Sequence, residues 1–346
     1  MSVKPGDIRI YGSANMSTAE GTTQGGAASF STKVDFTDLA STQAVNYVSS
    51  SASDTATTIT ATGRDSTGVI QQETKTLNGT TPVSGSQSFQ RLLAGSVGGA
   101  TAVGDVAIIS STAVVLAHTA QTGSANSTGT TPALMKLQSG DGAARVLGEI
   151  IRTTGGTGPS QLREIIGLPA VYGTDIVAVN RDWGTIPDTT TTYNIHDGVL
   201  FQLSPNQITK AQRPFYNASA DVLGGATRFF YEKLFVVNDN TATALTVAQV
   251  LKETDPSGGT LDFALCSSLN DTATVANRQT APASGITAFS SGSAPQTINV
   301  PSPQNLPSGA APNSAGAQGI WLRLTLTAGQ APQNTNFDLR GTGSTV

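Results

Sequence analysis

The run Arg228–Asn238 constrains the fold most strongly, because it is apolar on both faces when it is read as a β-strand. Side chains alternate between the two faces of a strand. Phe230 and Leu234 therefore share one face, and Phe229 and Phe235 share the other. A strand that is apolar on both sides is typically covered on both sides. The run is predicted to be a central strand of a sheet.

A second run, Ala317–Thr327, has an apolar residue at every other position and predicts a half-buried strand. Ile320 and Leu322 fall on its inward face, and Trp321 and Arg323 on its outward face. Further short β-branched runs, separated by Gly, Ser and Thr, follow at a spacing typical of sandwiches. We therefore predict an all-β chain with two or three β-sandwich or small β-barrel-like domains and long Gly/Ser/Thr-rich loops.

Composition favours strands over disorder. Charged residues make up 12% of the sequence, about half of the usual ~25%, so the chain lacks the high charge of most disordered segments. The regular supply of β-branched residues is typical of strands instead.

The length of 346 residues exceeds the usual size of one domain, so we divide the sequence at its least apolar segments. An N-terminal β-sandwich is predicted for residues 1–120, with a flexible arm at 12–31 that has little to bury. Residues 121–132 are of low complexity and predict a linker. A small β-module is expected at 133–205, and a C-terminal β-sandwich of the jelly-roll or Ig-like type at 206–346.

Two details complete this scheme. The module at 133–205 is small, and an isolated small sheet is marginally stable, so we expect it to pack on a neighbour. After this module, at the start of the predicted C-terminal domain, Ile208–Gln212 is typical of a helix-like turn that Pro214 stops.

Charge argues against a nucleic-acid-coating protein. The sequence has 19 basic and 23 acidic residues, and the basic residues are not clustered as counterion displacement from a phosphate backbone requires. The N-terminus lacks the apolar core of a signal peptide, and the longest apolar stretch, Val106–Ala117, is too short to span a bilayer. We expect no nucleic-acid partner, no membrane partner and folding in a cytoplasm.

The sequence offers no arrangement typical of catalysis or of a cofactor. His118 and His196 fall in different predicted units, and Asp197 lies next to His196, where neighbouring side chains of a strand point apart. The one cysteine, Cys266, is predicted to be a small buried hydrophobe on a strand. Asp and Asn clusters lack calcium-loop spacing and are expected to cap loops. We predict no catalytic residue, no metal and no cofactor.

Residues 172–198 contain the most informative local pattern. A short apolar strand at Ile176–Val179 is followed by Arg181 and by Trp183 in a turn, and a Pro-Asp-Thr-rich loop then leads to a strand at Thr191–Ile195 that carries Tyr193. These residues suit contacts better than chemistry, because the carboxylates lie beside Gly, Pro and Thr, where turns put them.

Four residues are predicted as possible interface contacts. They are Trp183, Trp321, Arg181 and Tyr193. Aromatic and Arg side chains are enriched among the residues that anchor interfaces. For Trp321, burial against an adjacent domain or subunit is favoured over a sugar contact.

Three stretches together resemble structural proteins of tailed-bacteriophage virions. They are Ser50–Thr81, with its hairpin Thr-Ala-Thr-Gly-Arg-Asp-Ser-Thr-Gly-Val-Ile-Gln-Gln-Glu-Thr, then residues 172–198, with the Arg-x-Trp turn, and Phe230–Asn240. They cover under a third of the chain, and the patterns are shared by several kinds of head and tail protein. The resemblance implies assembly into a particle and carries over no catalytic residue.

The expected function is that of a capsid decoration (cement) protein, which binds the outer surface of the major capsid shell and stabilises it. Its partners would be the major capsid protein and neighbouring copies of itself, as a homo-oligomer on the virion exterior assembled in the host cytoplasm. One alternative is a tail or baseplate component or a receptor-binding protein. Another is a carbohydrate-binding β-sandwich module that uses Trp321 and nearby Tyr residues.

Overall fold

The computed structural model describes residues 7–17, 19, 21–119, 133–203, 208–216, 218, 226–240, 242–256, 258–290, 296–297, 316–327 and 337–345. Strand residues account for 54% and helical residues for 4%, which confirms the all-β prediction. Helical structure includes a 3-10 turn at Asp141–Ala144 and the helix α1 at Pro169–Tyr172.

The strands are numbered in chain order. The first twelve are β1 (Ile8–Asn15), β2 (Gln24–Lys33), β3 (Gln43–Ser49), β4 (Thr57–Arg64), β5 (Ile70–Thr76), β6 (Val83–Phe89), β7 (Arg91–Gly99), β8 (Val106–Ser110), β9 (Val115–Thr119), β10 (Leu134–Lys136), β11 (Ile150–Gly155) and β12 (Leu162–Gly167). The others are β13 (Ile176–Val179), β14 (Thr192–His196), β15 (Gly198–Phe201), β16 (Lys210–Gln212), β17 (Arg228–Asn238), β18 (Leu245–Thr254), β19 (Gly259–Leu269), β20 (Thr274–Val275), β21 (Gln296–Thr297), β22 (Ala317–Leu326) and β23 (Asp338–Thr345).

The chain divides into two compact units whose boundaries differ from the predicted ones. Unit 1 combines Met1–Val34 with Arg213–Val346, and unit 2 is Asp35–Gln212. The N-terminal segment belongs to unit 1 because β1 pairs with β17, with Ile10 opposite Val236. The predicted N-terminal domain at 1–120 is therefore corrected, because its first 34 residues belong to unit 1. A pairing between segments so far apart in sequence leaves no local signal from which it could be predicted.

The predicted flexible arm at 12–31 is also corrected. Its residues include the end of β1 and most of β2, which pair with each other through Gly12 opposite Ser29 and Ser13 opposite Ala28. Small polar residues have little to bury, but their backbone groups still form ladder hydrogen bonds. The predicted linker at 121–132 lies outside the described residues.

Unit 1 contains two antiparallel sheets. One follows the order β19-β22-β17-β1-β2, with β20 beside β2, and the other follows β21-β18-β23. The main core takes side chains from both sheets, among them Phe230 on β17, Leu322 on β22 and Val250 on β18. As predicted, β17 is a central strand, because β22 and β1 flank it and both of its faces carry buried aromatic residues such as Phe230 and Phe235.

Unit 2 has a middle sheet that is apolar on both faces. The sheet β15-β8-β3-β6 packs one face against strands β16, β7, β4 and β5, with Tyr47 and Ile108 in the shared core. Its other face packs through Ala107 against Ile150 and Leu162 of the sheet β10-β13-β12-β11-β14-β9. The predicted module at 133–205 is therefore part of unit 2. As expected, it packs on a neighbour, which is the middle sheet.

Two smaller predictions concern strands β16 and β19. Residues 210–212 form β16, which pairs with β7 through Lys210 opposite Ser96, so the helix-like turn predicted at Ile208–Gln212 is wrong. Tertiary pairing overrides a weak local preference here. Cys266 is a buried residue on β19, as predicted.

Candidate functional site

The segment 172–198 forms the predicted pair of strands in unit 2. Its first strand is β13, and its second, β14, begins and ends one residue later than expected. They are not neighbours, because β12 and β11 lie between them in the sheet. The loop from β13 to β14 therefore crosses two strands and carries Arg181 and Trp183 with it.

Trp183 points into unit 2 and is buried in a core cluster with Tyr193, Val177 and Met135. The guanidinium carbon of Arg163 lies 5.1 Å from the centre of its ring, a distance typical of a cation–π contact. Its indole Nε1 has no hydrogen-bond partner in the part of the chain that the structure describes. This side chain fills the core and offers no surface to a partner.

Arg181 is the predicted contact residue that does reach the surface, with 28% of its side chain exposed. Its Nη2 donates to Oδ2 of Asp105, and the Nη1 of Arg163 lies 3.7 Å from the same oxygen. Asp105 is buried, so its carboxylate lies between two guanidinium groups. Burial and the nearby charge of Arg181 lower the pKa of Arg163 to about 10, which still leaves it charged at neutral pH.

Tyr193 is fully buried and connects β14 to the loop before the 3-10 turn. Its Oη donates to Oδ2 of Asp141 at 2.9 Å and accepts from the backbone N–H of Gln138 at 3.0 Å. Burial raises the pKa of the Tyr193 phenol above its usual value, so it stays neutral. Its role in this arrangement is structural.

Trp321 lies in unit 1 and is fully buried, so a contact on an exposed face is wrong. The alternation on β22 does put it opposite the main core, but that face is covered. Its ring packs in a second cluster with Tyr231, Cys266 and Val275. Gly25, with a φ of +88°, passes so close that a Cβ there would lie 2.7 Å from the ring.

The four predicted residues therefore do not meet in one place. Three belong to unit 2 and Trp321 belongs to unit 1. Their neighbours Asp105 and Arg163 were not predicted, because Asp105 precedes β8, far from residues 172–198 in sequence, and Arg163 lies on the separate strand β12. A charged residue at the edge of an apolar run, such as Asp105 before β8, was the available signal.

His196 has a serine neighbour but not the geometry of a nucleophile and base. Its Nδ1 lies 3.0 Å from the backbone O of Ser110 and 3.4 Å from the Ser110 Oγ, and that hydroxyl donates instead to the backbone O of Thr112. The adjacent Asp197 accepts from the backbone N–H of Ala40. Burial lowers the pKa of His196 to about 4.

The Asp and Asn clusters cap loops, as predicted. Asn240 Oδ1 accepts from the backbone N–H of Ala242 and Thr243, and Asp255 Oδ1 accepts from that of Leu261. Among the described residues, no group of three or more His, Cys, Asp or Glu side chains is placed to hold a metal ion. No helix in the described part is long and apolar enough to cross a membrane.

The apolar residues that do reach the surface lie mainly on loops and hairpin tips of unit 2. Val146 and Leu147 follow the 3-10 turn and are 50% and 52% exposed, and Val171 on α1 is 62% exposed. The turn lies beside α1, because a Cβ on Gly142 would lie 3.0 Å from Pro169. We call Val146, Leu147 and Val171 the α1 patch.

No protein-family profile, curated protein or solved structure matches the chain.

Proposed function

We propose that the chain is a non-enzymatic virion structural protein of a tailed bacteriophage, and more specifically a capsid decoration protein. It would bind the outer surface of the major capsid shell, together with neighbouring copies of itself, and stabilise that shell. The sequence resemblance gives the class of protein. The observation that carries the proposal is the position of the exposed apolar side chains, on loops and hairpin tips of a β-scaffold.

A decoration protein needs several small contacts more than one deep site, because symmetry repeats each contact over the shell and multiplies its effect. The α1 patch provides one such contact. Val69 and Ile70, at the tip of the hairpin between β4 and β5, provide a second. Exposed apolar side chains that lie together can form surfaces that bind other proteins. The rigid sheets behind them limit the entropy lost on binding.

The burial of the residues that suggested other functions supports the same proposal. The residues that suggested chemistry or sugar binding, His196 and Trp321, are both buried. The carbohydrate-binding alternative rested on Trp321 and nearby Tyr residues, and the buried ring of Trp321 cannot stack on a sugar.

The direct test compares particles with and without this protein. Particles that lack it are expected to rupture at a lower temperature, or at a lower concentration of chelator, than complete particles. Equal resistance would contradict the cement role. A copy number far below that of the major capsid protein would instead favour the tail or baseplate alternative.

The contact surface can be tested separately by adding the purified chain to shells that lack it. The triple variant Val146→Asp, Leu147→Asp, Val171→Asp is expected to weaken co-sedimentation with shells at least tenfold, since each charge must be desolvated on docking. Val103→Asp is the matched control, because Val103 is 73% exposed on a different loop of unit 2. Equal loss in both variants would argue against the α1 patch.

A further inference from the structure

Unit 1 encloses a lysine against a carboxylate inside an aromatic pocket. Lys233 on β17 is fully buried, and its Nζ lies 2.5 Å from Oδ2 of Asp271. The ring centres of Phe235 and Trp321 lie 5.0 and 5.6 Å from the same nitrogen. The lysine nitrogen and the Asp271 carboxyl group are therefore in direct contact beside two aromatic rings.

The Lys233 amine and the segment that carries the Asp271 carboxyl group are held in place by several hydrogen bonds. Backbone O atoms of Gly26, Asp271 and Ala273 accept from Lys233 Nζ at 3.0, 2.9 and 3.2 Å. Asn270, in the left-handed region at φ 54°, precedes Asp271, and its Oδ1 accepts from the backbone N–H of Ala317. Fixing an amine and a carboxyl group in this way raises their effective concentration by orders of magnitude.

A third group is placed to supply a hydrogen bond to the carboxyl. The thiol of Cys266 lies near Asp271, and burial raises the pKa of this thiol to about 12, which keeps it protonated as a possible hydrogen-bond donor. Its Sγ lies beside the lysine stem, since a Cβ on Gly319 would approach both Cys266 Sγ and Lys233 Cε. A hydrogen bond to a carboxyl oxygen makes its carbon easier to attack.

We propose that Lys233 and Asp271 form an intramolecular isopeptide bond. A proton passes from the ammonium to the carboxylate, which gives an amine and a carboxylic acid. The amine lone pair then attacks Cγ of Asp271, the Cγ–OH bond breaks, and the hydroxyl leaves as water with a second proton from the nitrogen. No oxidant or cofactor is consumed. The Asp271 side chain is 17% exposed, so the water has a route to solvent.

The product is compatible with the pocket. The amide nitrogen keeps one hydrogen, which can remain on the buried hydrogen bond to the Gly26 backbone O. The backbone O atoms of Asp271 and Ala273 are in only partly buried bonds and can accept from water instead. The bond would link β17 covalently to the segment after β19, two parts of unit 1 that lie 38 residues apart.

The first test is the mass of the denatured full-length chain. We expect a mass lower than that of the sequence by one water, about 18 Da. Trypsin is expected to leave the bond after Lys233 uncut and to release residues 229–252 joined to residues 253–278. An unmodified mass, with free cleavage after Lys233, would overturn the proposal. The result is read on the wild-type chain and so does not depend on any variant folding.

The chain supplies its own matched control. Lys252 is also buried, with its Nζ 2.8 Å from Asp255 Oδ1, but the Asp255 side chain is 42% exposed to water. Trypsin is expected to cut after Lys252 and not after Lys233. If both sites resist cleavage, the specific role of the aromatic pocket is wrong.

Variants then assign the reacting groups. Lys233→Met and Asp271→Ala are expected to restore the full mass of their sequences. Asp271→Asn should lose ammonia, about 17 Da, and give the same joined peptides, because an amide carbon can also be attacked. Cys266→Ala should slow bond formation several-fold, and Cys266→Ser, which keeps a donor, should slow it less. A wild-type rate in Cys266→Ala would remove the thiol from the mechanism.

Discussion

The two units bury charged side chains in different ways. In unit 1, Arg278 Nη2 donates to Glu232 Oε1 at 2.7 Å, and both side chains are almost completely buried. In unit 2, Asp105 is the buried member of its cluster, while Arg181 extends partly into solvent. The cluster in unit 2 therefore has one side chain in contact with solvent, and the Arg278–Glu232 pair in unit 1 has none.

This difference determines what each unit can tolerate. A buried charge that loses its partner must bear its full desolvation penalty unless it can turn toward water. Arg181 can turn outward, but Arg278 cannot, and the Nε and Nη1 of Arg278 already have no partner among the described residues. We therefore expect unit 1 to be the more sensitive of the two to the loss of a single buried charge.

The largest effect is expected for Glu232→Gln in unit 1. The substitution leaves the Arg278 guanidinium buried without a counter-charge and weakens the acceptor for the backbone N–H of Phe215. The free energy of unfolding of unit 1 should fall by about 3–5 kcal/mol. Glu253→Gln, on the exposed end of β18, is the control and should change it by no more than about 0.5 kcal/mol.

The two units can be followed separately because each contains one tryptophan, Trp321 in unit 1 and Trp183 in unit 2. In a Trp183→Phe background, fluorescence during urea unfolding reports on unit 1, and in a Trp321→Phe background it reports on unit 2. If Glu232→Gln shifts the unit 2 signal as much as the unit 1 signal, the units do not respond separately and the comparison between them fails.

Acid is expected to act selectively on unit 2, which contains both histidines of the chain. The pKa of His196 is lowered from 6.5 to about 4 by burial, so below pH 6.5 the unfolded chain takes up a proton that the folded unit excludes. Stability that is fully present above pH 6.5 is therefore lost as the pH falls toward 4. The loss from this residue should approach about 3 kcal/mol.

The measurement is the difference between wild type and His196→Asn in the pH dependence of unit 2 unfolding. Asn keeps a donor for the Ser110 backbone O but does not titrate in this range. The variant should show a flatter profile between pH 6.5 and 4. Identical profiles would mean that His196 is protonated as easily in the folded unit as in the unfolded chain.

Asp105→Asn in unit 2 should have an intermediate effect. The neutral amide leaves Arg181 and Arg163 without their shared carboxylate, but Arg181 can turn outward and Arg163 keeps its bonds to the Asp182 backbone O. The expected cost is about 1–3 kcal/mol. The control is Asp182→Asn, because Arg163 bonds to its backbone and not to its side chain. A loss equal to that of Glu232→Gln would show that solvent access does not protect unit 2.

The sequence predicted the strands well where the apolar pattern was strong. β17 has apolar residues on both faces and β13 is a short continuous apolar run, and both were placed correctly, since such strands must be covered whatever they pair with. The pattern on β22 also placed Trp321 on the correct face. What it could not show is that another segment covers that face, because the residues around Trp321, such as Val275 and Gly25, are distant in sequence.

The arm at 12–31 shows the opposite case. Its Gly, Ser and Ala residues give no periodic signal, yet they pair along β1 and β2 because the partner strand β17 supplies a template. Three of the four predicted contact residues, Trp183, Tyr193 and Trp321, are buried for a related reason. Aromatic and Arg residues anchor interfaces, but they also fill cores, and the choice depends on neighbours such as Asp105 and Arg163 that only the fold brings together.

The smallest effects that we predict come from removing one buried tyrosine hydroxyl in each unit. Tyr193→Phe in unit 2 removes a donor to Asp141 and leaves the backbone N–H of Gln138 without its acceptor, which should cost about 1–2 kcal/mol. In unit 1, Tyr11→Phe removes a donor to Asp239, a half-buried carboxylate that water can reach, so the cost should be no more than about 0.5–1 kcal/mol. Urea unfolding of the two single-tryptophan backgrounds measures both. An equal or larger loss in Tyr11→Phe would contradict this prediction. It would mean that removing the acceptor of the Gln138 backbone N–H adds nothing to the cost of losing a tyrosine hydroxyl.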